Sequence, residues 1–235
     1  MANLGYMTNV VLDRMGSART SNPRFVEKVK RQIQYQFKTL CGRRDWSWKR
    51  GHATLAITAT DTAISLPTVS KGGEDVPVFS RIQFCQLQST GKVLEPRPDL
   101  LDLIMRGTSL ALSGRNEPSA FGITVDGLTG ERKLLLMPLP AQADTLLIWG
   151  MRSAASMALL VDSDEPPFED EFDGYLIERT VQVLAGGDAT RDPTVVRMAI
   201  READIIFRAM CHTERMLAPP VQSVRHLGRG QFGVR

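Results

Sequence analysis

Residues 43–50, RRDWSWKR, lie where a helical pattern gives way to a strand pattern, and they decide how the rest of the chain is interpreted. Trp46 and Trp48 are two residues apart, a spacing that places both rings on one face of a strand. Each ring can bury about 150–250 Å², so the stretch predicts a core anchor between helix and sheet. Stacking on nucleic-acid bases is the alternative, because Arg43 and Arg44 precede the tryptophans.

The chain before this stretch is predicted to form two helices. Asn22 is a candidate cap, and Pro23 suits the first position of a helix. The apolar residues that follow recur at spacings of three and four, as on one face of an amphipathic helix: Val26, Val29, Ile33, Phe37 and Leu40. Gly42 is the expected end of this helix, and Gly16 is the expected end of a shorter one over residues 7–15.

After the tryptophans the apolar spacing changes to two, which indicates strands. The expected elements are, in order, a β-hairpin over residues 55–66 ending at Pro67, a Gly-rich loop at 71–75, a strand with Ile82 and Phe84, and a short helix from Pro98 to Gly107. Three further strands are expected at 121–125, 133–137 and 145–149. The links between these three are too short for parallel crossovers, so an antiparallel meander is predicted.

The last third of the chain returns to a helical pattern. One helix is expected after Pro166-Pro167 and ends at Gly186-Gly187, and a second begins at Asp192-Pro193 and ends at Pro219-Pro220. We therefore predict an α+β protein, a helical bundle formed by N- and C-terminal helices with an inserted antiparallel β-module. The predicted units are N-terminal helices (1–50), the β-module (51–158), C-terminal helices (159–216) and a flexible basic tail (217–235).

Composition and charge indicate which class of protein the chain belongs to. The 235 residues include 43% hydrophobic and 23% charged residues with a net charge of +3, as in an ordinary globular protein. Eleven basic and two acidic residues lie between Arg14 and Arg50, whereas residues 162–178 carry eight acids and no base. Such opposite patches suit copies that meet head to tail in a ring, although solvated helix faces would give the same pattern.

Other features of the sequence concern location. Three cysteines without paired spacing indicate reduced thiols. No apolar run approaches the roughly 20 residues that a membrane span needs, and the first residues lack the layout of a signal peptide. We expect a protein that is made in the cytoplasm and has no membrane partner.

No motif for catalysis or metal binding has the context that its chemistry needs. The acids at 162–170 include no histidine and no EF-hand glycine, so a solvated helix start is expected there. Cys211-His212 has no second pair of zinc ligands. The run G-R-G-Q-F-G at 228–233 matches a phosphate-binding pattern, but the chain ends two residues later. We expect no enzymatic activity, no cofactor and no metal.

Four motifs, taken in order, resemble the head-to-tail adaptor proteins of phages. These are RRDWSWKR followed by a Thr-rich segment that ends at Leu66-Pro67, EPSAF at 117–121, KLLLMPLP at 133–140, and EPPFEDEF at 165–172. The resemblance covers residues 6–216, and the chain departs from it at 71–114 and in its tail. It implies a virion neck protein, usually a dodecameric ring, that docks beneath the portal and joins it to tail or nozzle proteins while DNA passes non-specifically through the channel during genome ejection.

In related adaptors the C-terminal segment becomes ordered by reaching onto the portal. The candidate portal-binding residues in the tail of this chain are Val221, Val224, Arg225, Leu227, Arg229, Phe232 and Arg235. Two alternatives remain: a different neck or tail-tube connector, and a nucleic-acid-binding module that uses the basic first helices.

Overall fold

The computed structural model describes residues 2–16, 22–59, 61, 63–105, 117–188 and 192–217. Within these ranges the chain forms five α-helices and nine β-strands. The helices are α1 (Leu4–Met15), α2 (Pro23–Arg43), α3 (Leu100–Met105), α4 (Asp173–Gly186) and α5 (Pro193–Leu217). The strands are β1 (Arg50–Ile57), β2 (Ala63–Ser65), β3 (Thr68–Lys71), β4 (Glu74–Pro77), β5 (Phe79–Leu87), β6 (Val93–Pro96), β7 (Ala120–Val125), β8 (Arg132–Met137) and β9 (Asp144–Arg152).

Local signals place the first two helices. Asn22 accepts a hydrogen bond from the Arg24 amide at 3.0 Å and so caps α2, as its sequence predicts. Gly16 ends α1 with a φ of 91°, a conformation that favours glycine. The prediction that Gly42 ends α2 was wrong, because the helix continues to Arg43.

Helices from both ends of the chain share one apolar core. The α4 helix is buried on most sides and contacts α1, α2 and α5. The apolar stripe of α2 enters this core through Val29, Ile33, Phe37 and Leu40. The acids at 169–171 do not start an α-helix directly: a 3-10 turn at Asp170–Phe172 precedes α4.

Seven strands form one mixed sheet in the order β1-β9-β5-β6-β7-β8-β2. Its two edge strands, β1 and β2, are separated by only five residues, 58–62. Six residue steps reach at most about 20 Å, whereas a flat seven-stranded sheet is about 29 Å wide. The sheet therefore curls into a nearly closed barrel.

This barrel corrects the predicted fold class. A small inserted antiparallel β-module on a helical bundle is wrong, because the sheet is large, has its own core and contains a parallel pair, β6 with β7. The barrel core is formed by inward residues such as Phe79, Cys85, Leu134, Leu146 and Ile148. The α3 helix packs against β7 and β8.

Two strand pairings predicted from the sequence were also wrong. The segments expected to form a hairpin at residues 55–66 do not pair with each other, since β1 pairs with β9 and β2 pairs with β8. The expected meander holds only for β7 and β8, because β9 lies between β1 and β5. The Gly-rich loop is itself the turn of a small hairpin, β3–β4, with Gly72 and Gly73 at positive φ.

Candidate functional site

The helix–barrel junction, residues 43–50, is built around the end of α2. The indole Nε1 of Trp46 donates to the Leu40 carbonyl at 2.8 Å, and Lys49 Nζ donates to the Cys41 carbonyl at 2.9 Å. Both carbonyls belong to the last turn of α2, where backbone acceptors lack partners within the helix. The junction therefore caps the helix from which it leaves.

An aromatic cluster fixes the junction to the helical core. Trp46 is 1% exposed and stacks on Trp48, with ring centroids 6.0 Å apart. Trp48 also stacks on Phe37 and meets Phe168 edge-on at 5.5 Å, and Trp46 meets Phe207 of α5 edge-on. The core-anchor prediction is confirmed for Trp46, whose burial leaves no face for a nucleic-acid base. Its placement on a strand was wrong, because the tryptophans enter a 3-10 turn at Ser47–Lys49.

Two charged residues that the sequence did not single out hold the junction from either side. Glu214 on α5 accepts hydrogen bonds from the Ser47 amide at 2.9 Å and the Ser47 hydroxyl at 2.7 Å. Arg152, the last residue of β9, donates from Nη2 to the Trp48 carbonyl at 2.8 Å. Each lies more than 100 residues from the junction, so no local pattern indicates its role.

These groups surround the junction cleft, an open cavity of about 390 Å³. Its walls are largely apolar, with Trp48, Phe168, Phe172 and Met210 among them, and Glu169, Glu214 and Leu217 also line it. Trp48 and Arg152, two of the lining residues, each carry a buried donor atom, Nε1 and Nε respectively, that has no hydrogen-bond acceptor in the described part of the chain. Buried donors normally have partners, so these two atoms are exceptions, and both are shielded from solvent.

Part of the predicted charge complementarity is used within one subunit. Arg14 pairs with Glu178, Lys30 pairs with Asp162 at 2.6 Å, and Lys71 pairs with Asp164 at 3.4 Å. The acidic segment is therefore not simply a solvated helix start. Asp164 also accepts hydrogen bonds from the backbone amides of residues 160 and 161. Burial alone would raise the pKa of Asp164, but these amides and Lys71 lower it.

A basic stripe runs along the exposed side of α2. Its members recur at spacings of four and three and are all exposed: Arg24, Lys28, Arg31, Tyr35 and Lys38. One of the charges, Arg31, forms an ion pair with Glu27 at 3.1 Å. The stripe faces away from the helical core, where it is open to an anionic or acidic partner.

The outer surface of the barrel carries an aromatic row across three strands. Trp149 on β9 is paired with His52 on β1 and with Phe84 on β5. The Phe84 and Trp149 rings stack with centroids 4.6 Å apart, although Phe84 is 37% exposed. Neighbouring residues that point the opposite way, Ile148 and Cys85, lie in the barrel core.

The carboxyl group of Asp173, in the helical core, has a raised pKa. Asp173 at the start of α4 is buried, and its Oδ2 accepts a hydrogen bond from the Ala2 amide at 3.0 Å. Its Oδ1 has no partner in the described residues. Burial raises the pKa of Asp173 to about 6.

The described residues contain no group of three or more His, Cys, Asp and Glu side chains that could hold a metal ion. Burial raises the pKa of the Cys41 thiol to about 11 and that of Cys85 to about 12, so neither is a reactive thiolate near neutral pH. No helix in the described ranges is long and apolar enough to cross a membrane.

The candidate portal-binding residues from Val221 to Arg235 lie outside the described part of the chain. No protein-family model matches the sequence, and no curated protein matches it. The function is therefore inferred from the geometry of the chain and from the motif resemblance.

Proposed function

We propose that the chain is a virion neck protein, a head-to-tail adaptor whose copies form a ring on the portal and join it to the tail. In this proposal DNA passes through the channel of the ring without specific binding. The subunit carries neither a cofactor nor a reaction centre. Its partners are other copies of itself, the portal protein, and tail or nozzle proteins.

One observation carries the proposal. Two of the four motifs that resemble adaptors, RRDWSWKR and EPPFEDEF, are about 120 residues apart in sequence but meet at the junction cleft. Trp48 of the first motif contacts Phe168 of the second, ring to ring. Motifs that match a family in order and also form one structural unit are better support for the resemblance than four separate short matches.

The exposed surfaces are consistent with assembly. A ring of identical subunits needs two unlike surfaces on each copy. The basic stripe on α2 offers one charged surface, and the exposed acids Glu165, Glu169 and Glu171 offer another. The exposed aromatic row favours association further, because contiguous apolar surface tends to be buried against a partner.

Co-sedimentation with portal particles tests this function. The full chain should pellet with particles of the portal protein from the same virus, and a chain that ends at Pro220 should bind them much less, because it lacks every candidate anchor from Val221 onward. Full binding by the shortened chain would remove the tail from the proposal. Absence of binding by the full chain would contradict the adaptor function itself.

The basic stripe also favours a second candidate, a nucleic-acid-binding module. That function predicts micromolar affinity of the isolated chain for duplex DNA and a steep loss of affinity with salt. A different neck or tail-tube connector would instead pellet with tail proteins and leave portal particles bare. The same sedimentation assay, run with portal, tail proteins and DNA separately, distinguishes the three.

A further inference from the structure

The hairpin tip, the turn at residues 125–131 between β7 and β8, presents a leucine to solvent. Leu128 is 99% exposed, more than any other large hydrophobic residue in the described ranges, and Val125 beside it is also exposed. Single exposed apolar residues are common on protein surfaces. Exposure alone therefore does not give Leu128 a role, and the structure of the turn has to be considered as well.

Hydrogen bonds to one carboxylate fix the conformation of the hairpin tip. The Oδ1 of Asp126 accepts from the amides of Leu128 at 2.9 Å and Thr129 at 3.2 Å, and its Oδ2 accepts from Lys133 Nζ at 2.7 Å. The Lys133 ammonium and the two amides lower the pKa of Asp126 to about 2. Gly130, at a φ of 69°, closes the turn with its amide on the Asp126 carbonyl at 2.8 Å. A side chain held out in this way is preorganised for contact with a partner.

The helical part of the molecule carries a groove that suits such a side chain. This α2 groove lies between α2 and residues 154–160 and has a volume of about 370 Å³. Its lining combines buried apolar residues, exposed apolar residues and exposed bases. These are respectively Phe37 and Leu159, Tyr35 and Leu160, and Arg31 and Lys38. A groove of this kind favours an apolar anchor that has a carboxylate beside it.

The hairpin tip supplies that carboxylate. Asp126 and Lys133 neutralise each other, and Arg132 donates to backbone carbonyls of β5 at 3.0 Å. Glu131 is left without an ion-pair partner among the described residues, and the same holds for Lys38 at the α2 groove. The charge near Leu128 that remains available is therefore opposite to the charge available at the groove.

The geometry also indicates which molecule supplies the leucine. Leu128 does not occupy the α2 groove of its own subunit, because its side chain is almost fully exposed. The junction cleft is a second apolar cavity, but Glu169 and Glu214 line it and would repel Glu131. A second copy of this chain, docked through its hairpin tip on the α2 groove, satisfies both the exposure and the charge.

We infer that Leu128 of one copy inserts into the α2 groove of the next copy, with Glu131 facing Lys38 across the contact. The tip belongs to the barrel and the groove to the helical part, so the contact joins two unlike surfaces. Such a head-to-tail contact repeats from copy to copy and closes into a ring when the rotation between copies allows it. The inference rests on the proposed function for the closure of that ring, and it names the contact by which the ring is built.

Sedimentation velocity of the full chain tests this contact. Between about 5 and 500 µM the average mass should rise above that of one chain, and Leu128→Ala should weaken the association at least about tenfold, as expected when a buried leucine is truncated. Leu128→Ala should leave urea unfolding unchanged, because the side chain is almost fully exposed. Met198→Ala is the matched control, an exposed apolar residue on α5 that lines neither surface, and it should leave the association unchanged.

Two complementary variants test the head-to-tail arrangement. Leu128→Asp removes the anchor, and Ala155→Trp fills the groove at an exposed position. Neither variant should associate alone, but an equimolar mixture should form pairs and nothing larger, because only one working contact remains. Lys38→Glu should weaken the association of the parent about fivefold, and adding Glu131→Lys to the same chain should restore it.

A parent chain that stays single at the highest concentration would overturn the inference, as would equal association of the parent and Leu128→Asp. Failure of the contact is distinguishable from failure of the neck function. A parent chain that pellets with portal particles while Leu128→Asp associates normally removes the contact and keeps the function. Association through Leu128 without any binding to portal particles keeps the contact and removes the function.

Discussion

Replacing Trp46 and Trp149 by alanine, one at a time, separates a side chain in the helical core from one on the barrel surface. Trp46 is 1% exposed, and its ring removes roughly 200 Å² from water. At about 25 cal/mol per Å² this burial contributes about 5 kcal/mol. Trp46→Ala also leaves the Leu40 carbonyl without its donor. A loss of about 4–5 kcal/mol is expected, at the upper end of measured aromatic truncations.

Trp149 is only partly buried and packs chiefly on Phe84. Its removal should cost about 1–2 kcal/mol, from one stacked pair and partial burial. Urea unfolding followed by far-ultraviolet circular dichroism measures both values without relying on tryptophan emission. With a slope near 3 kcal/mol/M, the midpoint should fall by about 1.5 M for Trp46→Ala and by about 0.5 M for Trp149→Ala.

A milder substitution guards against a variant that does not fold. Trp46→Phe keeps an aromatic ring but removes the donor to Leu40, so it should cost about 1–3 kcal/mol. Equal losses for Trp46→Ala and Trp149→Ala would refute the distinction between a buried junction and an exposed aromatic row.

Three further experiments test the electrostatics, the barrel and the basic stripe. The pKa of Asp173 near 6 means that the folded chain binds this proton more tightly than the unfolded chain, so the stabilisation from the bound proton is full below about pH 4 and is lost as pH rises through about 6. Asp173→Asn should therefore raise the melting temperature at pH 7.5 relative to the parent and remove this part of the pH profile. A lower melting temperature would contradict the assignment. Gly150→Ala would place a Cβ 2.4 Å from a backbone carbonyl oxygen of β5 and should lower the free energy of unfolding in urea by about 3 kcal/mol. Gly127→Ala is the control and should be neutral, because no atom lies within 4 Å of its added Cβ. Equal effects of the two substitutions would show that β5 and β9 are not packed as described. The double substitution Lys28→Glu/Lys38→Glu should change the free energy of unfolding by less than about 0.5 kcal/mol. It should change DNA affinity in filter binding by less than about threefold. A loss of DNA affinity above about tenfold, with a steep salt dependence, would favour the nucleic-acid-binding module.

The features that the sequence predicts correctly are those set by neighbouring residues. Asn22 caps α2 and Gly16 ends α1 because capping depends on groups within a few residues. Burial of Trp46 is likewise indicated by its large apolar ring at a change of periodicity. These signals remain valid whichever way the sheet closes.

Strand partners could not be predicted in the same way. The polar link between β1 and β2 has the composition of a hairpin turn, but it joins the two edges of a curled sheet. Nothing in a short turn distinguishes strands that pair from strands that diverge, because the choice depends on β8 and β9, about 70–95 residues away. Glu214 and Arg152 were missed for the same reason: each acts on the junction across a long sequence separation.

Electron microscopy of negatively stained portal particles, with and without this protein, tests the central claim most directly. The adaptor function predicts an added ring of density on the tail-facing end of the portal, coaxial with its channel and present at saturating protein. Portal particles that keep their bare outline, while the protein stays in solution as single copies, would contradict it.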